Sequence, residues 1–290
     1  MEHSDPTITR VVEWAAGEDS VRAVLLTGSR ANAHAALDAF SDFDILLFLT
    51  SGSDLRERDD WLRGFGPVLV MLRERIYHGD REIPTRLVQY RDGSRIDFTL
   101  APLEMLHHLA EGAELPPELD SGYRILIDRD HLADRLAPPS GVGYTPARPT
   151  EEEYIAVVEE FWWESIYVAK FLARGELLPA KYSGECVLRF ACLVRMLEWY
   201  VQIGGNWDRS IGPHGRGLAA HLTPRDRVAL EATFAGAGKA ENREALFAAI
   251  HLFRCAAAAV ADELGYAYPA KVDRDVEAFL RRIQSPPGSG

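Results

Sequence analysis

Residues 42–50 read Asp-Phe-Asp-Ile-Leu-Leu-Phe-Leu-Thr, and the fold turns on this stretch. From Phe43 onward the run is apolar and rich in strand-favouring side chains, the pattern of a buried strand. Its entry carries two carboxylates. Residues i and i+2 of a strand point to one face, so Asp42 and Asp44 would stand side by side. Two adjacent like charges call for a counter-charge, and a hard divalent cation with oxygen ligands supplies one.

Upstream, Val21–Thr27 is a second short apolar run, and it ends at Gly28-Ser29. Glycine lets the backbone approach a ligand closely. The amides and the hydroxyl that follow can bind phosphate oxygens at a helix start. Downstream, residues 95–100 form a strand that reads apolar around the lone carboxylate of Asp97. A charge there is costly unless it is paired or metal-bound. If this strand neighbours 43–50, three carboxylates meet and can hold two Mg²⁺ ions. Such ions bridge triphosphate oxygens, acidify an acceptor hydroxyl and stabilise the leaving pyrophosphate. Together, Gly28-Ser29, Asp42, Asp44 and Asp97 predict transfer of a nucleotide from a metal-bound nucleoside triphosphate.

The rest of the first half alternates strand and helix signals. A short amphipathic helix is expected over 7–16, a polar helix entered through Ser53 over 54–62, and strands over 68–72 and 85–90. Asp92-Gly93 is a hairpin signal, and a helix should follow Pro102. Residues 137–149 are rich in Pro and Gly, and the domain boundary is expected there. Beyond it, apolar residues recur at helical spacing in three sets: Tyr154 to Leu172, Val187 to Val201, and Leu246 to Leu264. Thr150 with Glu153, and Thr223-Pro224, read as helix starts. The expected fold class is α+β: a mixed-sheet domain over residues 1–140, then an all-helical bundle over 150–285 that binds substrate. The cleft between them is the expected ligand site. Residues 285–290 read as a tail.

Composition narrows the class. Of 290 residues, 47% are apolar and 26% charged, the balance of a soluble globular protein. No apolar run reaches 18 residues, so no membrane span is indicated, and the N-terminus does not read as a signal peptide. The expected compartment is the cytoplasm and the expected state a monomer. A net charge of −12 speaks against a nucleic-acid partner and is compatible with a cationic small substrate. The three cysteines lack a C-x-x-C pair, and Cys255, in an apolar run, reads as a core thiol. In Phe161-Trp162-Trp163, Phe161 reads as core and one tryptophan as rim. His107-His108 reads as a surface pair rather than a metal site.

The constellation Gly28-Ser29, Asp42-x-Asp44 and Asp97 resembles the DNA polymerase β-like nucleotidyltransferases. The stretches Gly28-Ser29-Arg30-Ala31-Asn32, Phe40-Ser41-Asp42-Phe43-Asp44-Ile45 and Arg95-Ile96-Asp97-Phe98 look more narrowly like the aminoglycoside 6-nucleotidyltransferases, the streptomycin adenylyltransferases. Glu160-Phe161-Trp162, Arg195-Met196-Leu197-Glu198-Trp199 and Leu264-Gly265-Tyr266 extend the resemblance through the helical half. It implies transfer of AMP from ATP, with Mg²⁺, to a hydroxyl of a cationic aminoglycoside. By motif, Asp42, Asp44 and Asp97 would be metal ligands, and Gly28, Ser29, Arg30 and Arg216 would contact the triphosphate. Carboxylates of the helical half, Glu160 first, would hold the antibiotic. Where the family carries a catalytic base, this chain reads Lys181-Tyr182-Ser183-Gly184-Glu185, and Glu185 is the candidate. Where the family has lysine after a glycine, this chain has Pro213. These departures leave two rivals: a nucleotidyltransferase for another natural product or a protein hydroxyl, and a non-catalytic binder.

Overall fold

The computed structural model describes residues 5–32, 35 and 37–284; residues 285–290, expected as a tail, lie outside them. The chain divides into two compact units, residues 1–143 and 144–290.

The first unit is a sheet covered on both faces. Helix α1 (Pro6–Ala16) is entered through Asp5, whose carboxylate accepts from the Thr7 amide at 2.9 Å. Strands β1 (Val21–Thr27), β2 (Phe43–Leu49), β3 (Val68–His78), β4 (Arg81–Tyr90), β5 (Arg95–Pro102) and β6 (Arg124–Asp128) form one sheet in the order β3-β4-β5-β2-β1-β6. The β2–β5 pair is parallel and its neighbours are antiparallel. Alternation along β2 divides the core. Phe43, Ile45 and Leu47 pack with Val11 of α1 and with Trp61 and Phe65, while Leu46 and Phe48 pack with Met105 and Leu106 of α2 (Leu103–Ala110). A one-turn helix, α3 (Pro117–Asp120), adds Leu119 to the second face.

Two expectations for this unit change. Residues 54–62 form no α-helix; the region holds a 3₁₀ turn, Asp54–Arg56, and a longer 3₁₀ segment, Asp60–Phe65. The reason is local. The Arg56 carbonyl accepts from the Arg86 guanidinium at 2.7 Å, and the Arg56 side chain donates to the carbonyls that end β2 and β5. Those side-chain bonds pin Arg56 against the ends of β2 and β5. The hairpin of β3 and β4 is also longer than the apolar pattern, continuing through charged residues to a turn at Gly79, where φ is +58°.

The second unit is helical: α4 (Glu151–Arg174), α5 (Leu177–Lys181), α6 (Arg195–Tyr200), α7 (Leu218–His221), α8 (Pro224–Glu231), α9 (Lys239–Leu264) and α10 (Ala270–Gln284). Between α5 and α6, Tyr182–Val194 is wound as a π-helix. Thr150 and Glu153 form a reciprocal capping box at the start of α4. Thr223 accepts from the Asp226 amide at the start of α8. At the centre Phe253 of α9 stacks on Phe161 of α4, with centroids 3.7 Å apart. By length and composition α9 could cross a membrane, but its apolar side chains Leu246, Ile250, Phe253 and Val260 are buried in this core. Cys255 is exposed and Cys192 is the buried thiol. Phe253 and Ala257 face inward on α9, so position 255 must turn outward. Phe161 and Trp162 are buried, Trp163 is 62% exposed, and His107 and His108 are exposed.

Candidate active site

Asp44 and Asp97 are partners across the parallel β2–β5 pair, so their side chains share one face of the sheet. Asp42 immediately precedes β2. On the other side of β2, Thr27 is the antiparallel partner of Asp44, so β1 delivers Gly28 to the same lip. Gly28 has φ +65°, and a Cβ on it would lie 2.7 Å from Cγ of Asp44. Glycine is required twice over, by the left-handed backbone and by the carboxylate. Ser29 follows, half-buried, in a 3₁₀ turn whose Gly28 carbonyl accepts from the amides of Ala31 and Asn32 at 3.1 Å.

Asp97 is nearly buried, its side chain 16% exposed. Burial pushes its carboxyl above the usual range, against hydrogen bonds from Arg95 that pull it down. Those bonds run from Nε to Oδ1 at 3.0 Å and from Nη2 to Oδ2 at 2.7 Å. Arg95 Nη1 also lies 3.4 Å from Oδ2 of Asp42. The Arg95 guanidinium is held still more firmly charged, first by the Asp97 hydrogen bonds and then by the fields of Asp97, Asp42 and Asp44. A cation thus sits among the three carboxylates. Arg95 escaped the sequence reading as a site residue. Its signal was its place two residues before Asp97, on the same face of one strand.

Among the described residues, no three His, Cys, Asp or Glu side chains stand ready-spaced to hold a metal ion. The donor chemistry nevertheless fits a hard ion. Three carboxylates at the adjoining ends of β2 and β5 offer only oxygen donors, and a guanidinium stands beside them as counter-charge.

Arg30 does different work. Nε donates to the carbonyls of Ser41 and Asp42 at 3.2 and 3.0 Å, and Nη2 donates to Ser41 at 2.9 Å. The guanidinium also stacks on Phe43, 3.8 Å from the ring centroid. Arg30 therefore ties the glycine turn to the segment that presents Asp42.

The remaining sequence candidates lie in the helical unit. Glu185, on the π-helical stretch, is 2.7 Å from Lys181 Nζ and 4.0 Å from Arg189 Nη1. Lys181 also donates to the Ala235 carbonyl at 2.6 Å, and Arg189, itself buried, donates to Thr233 and stacks on Phe234. Glu185 is thus part of a charge row that pins the 232–238 loop. Arg216 is exposed, at the end of a turn wound through positive φ at Gly212, His214 and Gly215. On α4, Glu160 is exposed, and Oε2 of Glu164 is buried with no partner among the described residues. Both carboxylates bear on the buried Cys192 thiol. Burial first, then their charge, pushes it up to about 12, which leaves it inert as a nucleophile.

Residues 1–283 match the model of the streptomycin adenylyltransferase family. An aminoglycoside 6-adenylyltransferase of Bacillus subtilis (strain 168) is 30% identical over 266 residues, covering 89% of this chain and 90% of that protein. One from Staphylococcus aureus is 28% identical over 275 residues, covering 93% of this chain and 95% of the relative. The chain is also similar to a crystal structure of an aminoglycoside 6-adenyltransferase from Bacillus subtilis, with a TM-score of 0.48 and 23% identity over 96% of this chain and 97% of that one. The protein is an enzyme, a nucleotidyltransferase, and its fold is α+β. More narrowly, the chain belongs to the streptomycin adenylyltransferase family.

Proposed function

We propose that this enzyme transfers AMP from ATP to a hydroxyl of an aminoglycoside, streptomycin first among them, and releases pyrophosphate. The observation that carries the reading is the register that sets Asp44 opposite Asp97, with Asp42 and the Gly28 turn at the same lip. The names of the relatives supply the acceptor class.

Asp42, Asp44 and Asp97 would hold Mg²⁺, which when bound neutralises triphosphate charge and acidifies the acceptor hydroxyl. The chain's own residues do the rest. The bare backbone at Gly28 and the Ser29 hydroxyl receive phosphate oxygens. Arg30 acts through Asp42, whose backbone it fixes. Arg216, exposed and always charged, takes a triphosphate oxygen. Glu160, exposed on α4, accepts from the cationic groups of the acceptor. Glu185 accepts the acceptor proton, exchanging its contact with Lys181 for the hydroxyl.

Purified protein with ATP, Mg²⁺ and streptomycin should release pyrophosphate and yield an adenylylated antibiotic by mass spectrometry. Silence across a panel of aminoglycosides, with labelled AMP appearing on protein or another small molecule in cell extract, would move the acceptor elsewhere. Tight ligand binding without any turnover would make the protein a binder.

A further inference from the structure

Arg95 contacts both oxygens of Asp97 and one oxygen of Asp42. A metal ion held by the same carboxylates needs those lone pairs. Guanidinium and metal are therefore competitors for one set of oxygens. The guanidinium is also the looser party. Its side chain is 40% exposed against 16% for Asp97, and its third contact, to Asp42, is the longest at 3.4 Å. It stands at the first residue of β5, just after the Asp92-Gly93 turn, so it can swing without moving the strand.

We propose that Arg95 is the resident counter-cation of the Asp42–Asp44–Asp97 site and exchanges partners when metal and triphosphate arrive. The carboxylates pass to the metal, and the guanidinium passes to the phosphate oxygens. This rests on the reading of those three residues as metal ligands. Arginine suits both partners, because its planar fork matches carboxylate and phosphate alike and never loses its charge. The exchange gives the site a property that three carboxylates alone lack. Without nucleotide, a metal ion must displace the guanidinium from the carboxylate oxygens it already holds, so metal binds weakly. With triphosphate present, the evicted guanidinium has a destination, so each ligand favours the other, and by linkage the favour is mutual.

The test titrates Mn²⁺ into metal-free protein by calorimetry, with and without a non-hydrolysable ATP analogue; no turnover is involved. In wild type, the analogue should tighten Mn²⁺ binding. In Arg95→Gln, Mn²⁺ alone should bind tighter by roughly three- to tenfold, since a close, half-exposed opposing charge is gone. The analogue should bind weaker by about the same factor, and the mutual favour should shrink. Arg95→Lys keeps the charge without the fork and should fall between. A residue that merely props the site would lower metal affinity when removed. Mn²⁺ binding to Arg95→Gln that is unchanged or weaker without nucleotide overturns the proposal. If that happens while Asp97→Asn abolishes Mn²⁺ binding, the metal site stands and the exchange alone fails. If Mn²⁺ binds neither wild type nor Arg95→Gln even with the analogue, the metal reading fails and takes the exchange with it.

Discussion

Gly28 stands where the Asp44 carboxylate leaves no room for a side chain: a Cβ there would be 2.7 Å from Asp44 Cγ. The backbone at 28 is also left-handed, at φ +65°. Gly28→Ala must therefore shift either the turn or Asp44. The expected stability loss is modest, about 1–3 kcal/mol for the strained backbone and the displaced neighbour. The expected loss of kcat is larger, roughly a hundredfold, because misplacement by about an ångström near the chemistry costs that much. Thermal melting and steady-state kinetics on one preparation separate the two. Full activity in Gly28→Ala would show that Asp44 is not used where it stands.

Asp44→Asn and Asp97→Asn should each lower kcat by at least about a hundredfold while the chain stays folded. In Asp97→Asn the amide oxygen can still accept one of the two Arg95 hydrogen bonds, but the second acceptor and the charge are lost. Asp97→Asn should also relieve a carboxyl that burial disfavours. These effects oppose each other, so its melting temperature should stay close to wild type while activity collapses. Circular dichroism alongside pyrophosphate release checks both.

Glu185 can be read as proton acceptor or as a brace, and one substitution parts them. Its carboxylate is shared between Lys181 and Arg189, which together hold the 232–238 loop. Glu185→Gln should lower kcat by roughly a hundredfold or more if it takes the acceptor proton, with KM little changed. A melting temperature that drops while kcat holds would leave it a brace only.

How far the sequence led can be seen residue by residue. Asp42, Asp44 and Asp97 were legible because a carboxylate inside an apolar strand pattern is conspicuous, and strand parity fixes its face. β1 and β2 were legible because both are buried on two sides and so read as continuous apolar runs. β6, the edge strand Arg124–Asp128, is half-exposed along its length and carries no such signature. The π-winding of Tyr182–Val194 departs from the α-helical spacing expected over Val187 to Val201: Leu188, Cys192 and Leu193 are buried, while Phe190, a member of the expected apolar set, is exposed. Arg95 was hidden for another reason. A cation beside a carboxylate in sequence reads as an ordinary exposed pair, and only the register of β5 against β2 shows it facing Asp42 as well.

Asp59 gives a prediction about stability that is independent of the active site. Burial would raise its carboxyl, but hydrogen bonds from Arg86 and Arg73 prevail and hold it below the usual range. Arg86 is itself nearly buried, 2.5 Å from Asp59 Oδ1, and its other donors go to the Thr85 and Arg56 carbonyls. A carboxylate whose folded pKa is depressed binds fewer protons folded than unfolded. It contributes stability above its unfolded pKa, near 4, and loses that contribution as pH falls through the folded value. Asp59→Asn should therefore cost about 1–3 kcal/mol at neutral pH, because the buried Arg86 charge loses its partner. Toward pH 3 the gap between variant and wild type should narrow, as wild type takes up the proton that the amide never needed. Urea unfolding of both proteins at pH 7, 5 and 3.5 reads this directly. A gap that stays constant across that range would mean that Asp59 holds no depressed carboxyl, and that Arg86 is kept in place by the Thr85 and Arg56 carbonyls alone.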